Sequence, residues 1–155
     1  MSYGGWRQVT GRKLSTAWEK VLPDAKQWVN CDTMNGNCVL IPQDVVKKVG
    51  NLDSSFTHSI GDIDYGLRAR NEGCQVVIAS GYYGVCDVND GSGLWRDQRL
   101  PILTRWKRFL GPKGFPVKEW MIFSRRHRGK AWFFAWLGTY IMFWIHLIRN
   151  SRFSP

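Results

Sequence analysis

The hydrophobic and polar positions along this chain change period several times, and the changes outline its elements. After Ser15, "TAWEKVL" predicts a short helix, "QWVNCD" a strand, and "GNCVLIP" (Gly36 to Pro42) a second, apolar strand. Pro42 opens "PQDVVKKVG", in which Val45, Val46 and Val49 share one side of a helix that Gly50 terminates. "NLDSSF" reads as a loop. A helix from about Asp62 to Glu72, ended by Gly73, leads into the strand "CQVVIA". Tyr82 to Cys86 predicts one more short strand before the Gly/Asn/Asp-rich loop "DVNDGSG". Beyond it, "PILTRWKRFL" and "VKEWMIFSRRH" are two amphipathic helices split by "GPKGFP". The expected architecture is therefore an α/β body with a helical tail.

The last periodic segment is of another kind. Ala131 to Ile148, "AWFFAWLGTYIMFWIHLI", has no Asp, Glu, Lys or Arg. As a helix it measures about 27 Å, close to the roughly 30 Å of a bilayer's hydrocarbon. Trp132, Trp136 and Trp144 suit interfacial depths, where an indole buries its ring and keeps its N–H wet. Length and hydropathy alone leave three readings open: a spanning helix, an interfacial helix, or the buried helix of a soluble domain.

Charge favours a membrane. The net charge is +10, and its location is uneven. Residues 1–95 carry nine Lys/Arg against ten Asp/Glu, residues 96–130 carry eleven against Asp97 and Glu119, and residues 131–155 add Arg149 and Arg152. The division is thus 1–95, a near-neutral body; 96–130, a basic helical region; and 131–155, an apolar membrane-associated segment. A basic block beside a Trp-rich apolar run fits an anionic lipid surface, and nucleic acid is not the expected partner. If the run spans, the Lys/Arg asymmetry keeps the body on the cytoplasmic face. With 44% hydrophobic residues and 22% charged, the composition excludes a disordered chain. Cys31, Cys38, Cys74 and Cys86 match no metal or redox spacing and are expected as free thiols.

Asp62 and Asp64 carry the chemical question. At a helix start a carboxylate accepts backbone N–H groups and complements the dipole, which is sufficient reason for Asp-x-Asp there. The same position keeps a carboxylate ionised, as a general base must be if it faces a cleft.

The surrounding residues extend the pattern. Gly36, Leu40 to Pro42, Val49, Gly50, Asp53, Phe56, Asp62, Asp64, Arg68 and Gly73 stand in the order in which family 2 glycosyltransferases of the GT-A fold place an acceptor-side Gly, an apolar strand, V-G-x-x-D-x-x-F, an acidic pair, an Arg and a Gly. "SYGGW" (Ser2 to Trp6) and "GVCDVNDGSGLW" resemble the stretches flanking that segment, so the resemblance covers roughly Ser2 to Trp95.

It implies an inverting transfer, in which an acceptor hydroxyl attacks the anomeric carbon of a nucleotide sugar opposite the departing diphosphate. On that reading Asp62 is the general base of the catalytic pair, with Asp64 supporting the local hydrogen bonding or the helix start. Arg68 pairs with Asp64 across one turn, Asn35 and Gly36 line the acceptor side, and Trp95 contacts substrate. A nucleotide-sugar donor and a saccharide or lipid-linked acceptor are implied as partners. A divalent cation, Mg or Mn, is implied with ligands on a donor-binding half that the family places before "SYGGW". The chain is accordingly expected to be the acceptor half plus membrane tail of a longer, cell-surface polysaccharide or glycolipid transferase. Gly61 stands where the family commonly has Glu, and Cys86 or Asp87 where it often has His. A non-catalytic membrane-associated module, with aspartates that only cap, is the alternative.

Overall fold

The structure is a computed structural model and describes residues 4–9, 18–58, 60–84 and 91–151. Ser2, Tyr3, Thr16, Ala17 and Val85 to Asp90, on which parts of several expected elements fall, lie outside the described residues. Among the described residues four short strands make two antiparallel pairs. β1 (Gly5–Gln8) runs against β2 (Trp18–Val21), and β3 (Val29–Asn30) against β4 (Val77–Ile78). A single bridge from Trp6 to Thr33 joins the two pairs. Helices α1 (Gln43–Val49), α2 (Ile60–Asn71), α3 (Ile102–Phe109), α4 (Val117–His127) and α5 (Trp132–Ser151) supply the rest, with a 3-10 turn at Gly129–Ala131.

Local signals account for most helices. α1 starts after Pro42 and ends at Gly50, and α2 is followed by Gly73; both glycines have positive φ, 81° and 78°. α3 and α4 likewise follow Pro101 and Pro116.

Two expectations are corrected. Trp18 to Val21 is a strand, not helix: pairing with β1 buries Val21 and leaves Glu19 outward, and this tertiary contact overrides helix propensity. Gly36 to Pro42 is not a strand, because it has no partner ladder; it turns at Gly36 and leaves Leu40 93% exposed. Tyr82 to Gly84 is also irregular.

The core lies between the helices rather than on the strands. Ile60 and Leu67 of α2 pack with Trp120 and Phe123 of α4, and around them Trp18, Phe56, Ile63, Phe115, Trp136 and Tyr140. A second cluster joins Phe109 of α3 to Phe143 and Leu147 of α5, with Trp95 and Trp106 alongside. Phe115 and Tyr140 touch both clusters. The basic region is therefore not an appendage: α4 covers α2, and α5 covers α3 and α4.

Close approach of α2 to the strands depends on Gly66. A Cβ there would stand 2.4 Å from Thr33 Oγ1 and 2.9 Å from Thr33 Cα, while Thr33 is fully buried and donates to Ile63 O at 2.8 Å. Gly66→Ala is expected to destabilise the protein by about 1–3 kcal/mol through overpacking, measured as a lowered urea midpoint with unchanged slope.

Candidate functional site

The two aspartates, one residue apart in sequence, lie in opposite environments because α2 begins at Ile60, two residues earlier than the sequence suggests. Asp62 therefore sits in the first turn and is half-exposed, whereas Asp64 enters the second turn and is completely buried beneath α4.

Asp62 holds one contact across the fold: the Gly36 N–H donates to its Oδ2 at 3.1 Å. A Cβ at position 36 would fall 2.7 Å from all three carboxyl atoms, so only Gly permits this approach. Asn35 lies half-buried beside it. The residue before Asp62 is small for a comparable reason, since a Cβ on Gly61 would meet Phe56 Cβ at 3.1 Å. The Gly61 N–H donates to His58 O at 2.8 Å, and this turn brings His58 to the edge of a cleft of about 710 Å³. The cleft is lined also by Gly93, Trp95, Thr104, Lys107, Arg108 and Lys113. Its cations come from α3 and the α3–α4 turn, and Trp95 forms its aromatic wall while packing on Phe109 with ring centroids 5.0 Å apart.

Asp64 has no exposed surface and no free oxygen. Its Oδ2 accepts from Arg68 Nε at 2.8 Å; its Oδ1 accepts from Arg126 Nη1 at 2.7 Å and contacts His127 Nε2 at 2.8 Å. Arg68 extends the network by donating to Val49 O at 2.7 Å and Asn51 O at 2.9 Å, and Arg126 by donating to Asp53 Oδ2 at 2.8 Å. Phe56 lies under the Arg126 guanidinium, 5.8 Å from its ring centre. Val49, Asp53, Phe56, Asp64 and Arg68, five positions of the sequence pattern, thus converge on one ion network that fastens α1, its following loop and α2 to α4. The i, i+4 pairing of Arg68 with Asp64 is present as expected. Asp64 is buried in this network with both oxygens engaged, and its place is in the local hydrogen bonding, while Asp62 is the part-exposed carboxylate of the two.

Arg126 and His127 are the residues that sequence reasoning missed. Within the basic block they read as lipid-facing charge, but they point inward to a carboxylate 62 and 63 positions away. No local period carries such a pairing.

The network is acid-sensitive. Burial alone would raise the Asp64 carboxyl, but hydrogen bonds from His127, Arg68 and Arg126 outweigh it and hold the group below its ordinary 3.8. The Arg126 hydrogen bond, helped by the Ser55 N–H, lowers Asp53 to about 2. Depressed carboxylates stabilise the fold fully above their unfolded pKa and lose that contribution as pH falls through the folded one. Stability is expected to be insensitive to these groups above pH 4 and to drop from about pH 4 toward pH 2, as followed by acid titration of the helical circular dichroism.

Cys31, Cys38 and Cys74 are free thiols, and burial pushes Cys31 up to about 11, so it is inert at neutral pH. Among the described residues no group of three or more His, Cys, Asp or Glu side chains is placed to hold a metal ion. The segment Gly129–Arg149 is long and apolar enough to cross a membrane. Compared with protein-family models, curated proteins and solved structures, the chain matches none.

Proposed function

We propose that the chain is the acceptor-side half of an inverting glycosyltransferase resembling family 2, working at the cytoplasmic face of a membrane on a cell-surface saccharide or glycolipid. The observation that carries the reading is the placement of Asp62: a part-exposed carboxylate in the first turn of α2, held by the Gly36 amide, four positions after His58, which lines the cleft where Asp62 itself does not. In the reaction the Asp62 carboxylate takes the acceptor O–H proton while that oxygen bonds to the anomeric carbon, and the bond from that carbon to the nucleotide diphosphate breaks. The diphosphate leaves with the bonding electrons. The donor and its cation belong to a nucleotide-binding half, and the residues here bind the acceptor and remove its proton.

Lys107, Arg108 and Lys113 give the cleft a positive rim suited to an acceptor that carries phosphate, and Trp95, with Arg96 over its ring, forms part of the wall. The test is transfer of labelled sugar from a panel of nucleotide sugars to membrane extract, with the chain joined to a donor-binding half. Label is expected in saccharide or glycolipid and absent in Asp62→Asn. Transfer that survives the substitution removes Asp62 from the chemistry.

A further inference from the structure

We infer that α5 lies in the plane of an anionic lipid surface instead of crossing the bilayer. The inference is independent of the transferase reading, since it rests only on how α5 is packed. One long face of the helix is committed to protein. Trp136 Nε1 donates to Val117 O at 3.2 Å, Trp120 Nε1 donates to Thr139 Oγ1 at 2.9 Å, and the Tyr140 hydroxyl donates to Phe115 O at 3.3 Å. Phe143 and Leu147 are buried with Phe109. These contacts extend from residue 136 to residue 147, about 16 Å of helix.

α3 and α4 therefore lie against the middle of α5, at the depth that hydrocarbon would occupy around a spanning helix. α3 carries Arg105, Lys107 and Arg108, and α4 carries Lys118 and Arg125. Spanning would pull these cations into the bilayer interior or tear α5 from the core. An in-plane helix keeps both the packing and the hydration.

The other face fits that placement. Phe134, Leu137, Ile141 and Ile145 recur at three- and four-residue steps and are 74%, 38%, 49% and 43% exposed, a stripe opposite the packed one. Among the aromatic residues of α5, Phe133, Phe134 and Trp144 are exposed, and an in-plane helix sets their rings at interfacial depth. Charge selects the lipid: no Asp or Glu follows Glu119, and exposed Lys130 and Arg149 stand at the two ends of α5 with Arg125 nearby.

The full chain, reconstituted in sealed vesicles of phosphatidylcholine with phosphatidylglycerol, tests this with Arg149→Cys in a Cys74→Ser, Cys86→Ser background. Cys38 is exposed on the body, so a membrane-impermeant maleimide reads both ends of the molecule. In-plane binding predicts molecules labelled at both thiols by intact mass. Labelling at one thiol or the other, never both, is the signature of a spanning helix and overturns the inference. In a flotation assay, Ile141→Asp is expected to lower the vesicle-bound fraction about tenfold or more while circular dichroism is unchanged, because the side chain is exposed in the fold. Binding that is indifferent to Ile141→Asp, or equal on pure phosphatidylcholine, or a face consumed by dimerisation without lipid, contradicts it.

Discussion

Asp64→Asn is expected to destabilise the protein by about 3–5 kcal/mol, the range for removing one partner of a buried ion pair. Both carboxylate oxygens are engaged, and the substitution leaves the Arg68 and Arg126 guanidiniums facing each other across a neutral amide. Arg126 is 33% exposed and Arg68 21%, so water relieves part of the penalty and places the effect toward the lower end. For a chain of this size the loss corresponds to a fall of about 10 °C in Tm. The consequence is local first. α4 is held to the Asp53–Phe56 loop by Arg126 and by Glu119, which accepts from the Thr57 hydroxyl at 2.8 Å and its amide at 3.2 Å. Weakening that attachment exposes Trp120 and Phe123, so tryptophan fluorescence reports it directly.

Asp62→Asn is expected to behave in the opposite way. The side chain is half-exposed and, among the described residues, its hydrogen bond comes from Gly36, so the fold loses no more than about 1 kcal/mol. On the proposed transferase reading, turnover with a donor-binding half joined to the chain is expected to fall by about 10²–10⁴, roughly 3–5 kcal/mol of barrier, because an amide cannot accept the acceptor's proton. Two carboxylates one residue apart in sequence are therefore separable by experiment, one through stability and the other through rate.

Why the sequence suggested them as a pair has a physical explanation. Gly, Pro and hydrophobic period are local signals, and they placed α1, α3, α4 and the apolar α5 close to where they occur. The start of α2 was less visible, and an offset of two residues decides whether Asp64 caps the helix or lies under α4. Trp18 to Val21 needed knowledge of β1 to be read as a strand, and the apolar run at Val39 and Leu40 looked like a strand because its exposure is not written in its composition. Arg68 was legible by position as the partner of Asp64, whereas the Gly36 contact to Asp62 came only with the fold. Arg126 and His127 were not, since a cation that serves a distant carboxylate has the same local pattern as one that faces lipid.

On the proposed reading one short acidic stretch has two duties. Asp64 fixes where α2 meets α4, and that junction sets the position of the first turn from which Asp62 projects. Gly36 then approaches from the other side and orients the carboxylate. The measurement that tests this most directly is the transfer rate of Asp62→Asn in the completed enzyme, taken on protein whose melting temperature matches the parent. A rate lowered by about 10² or more is the predicted result; a rate near that of the parent contradicts the account and leaves Asp62 as a helix-start residue alone.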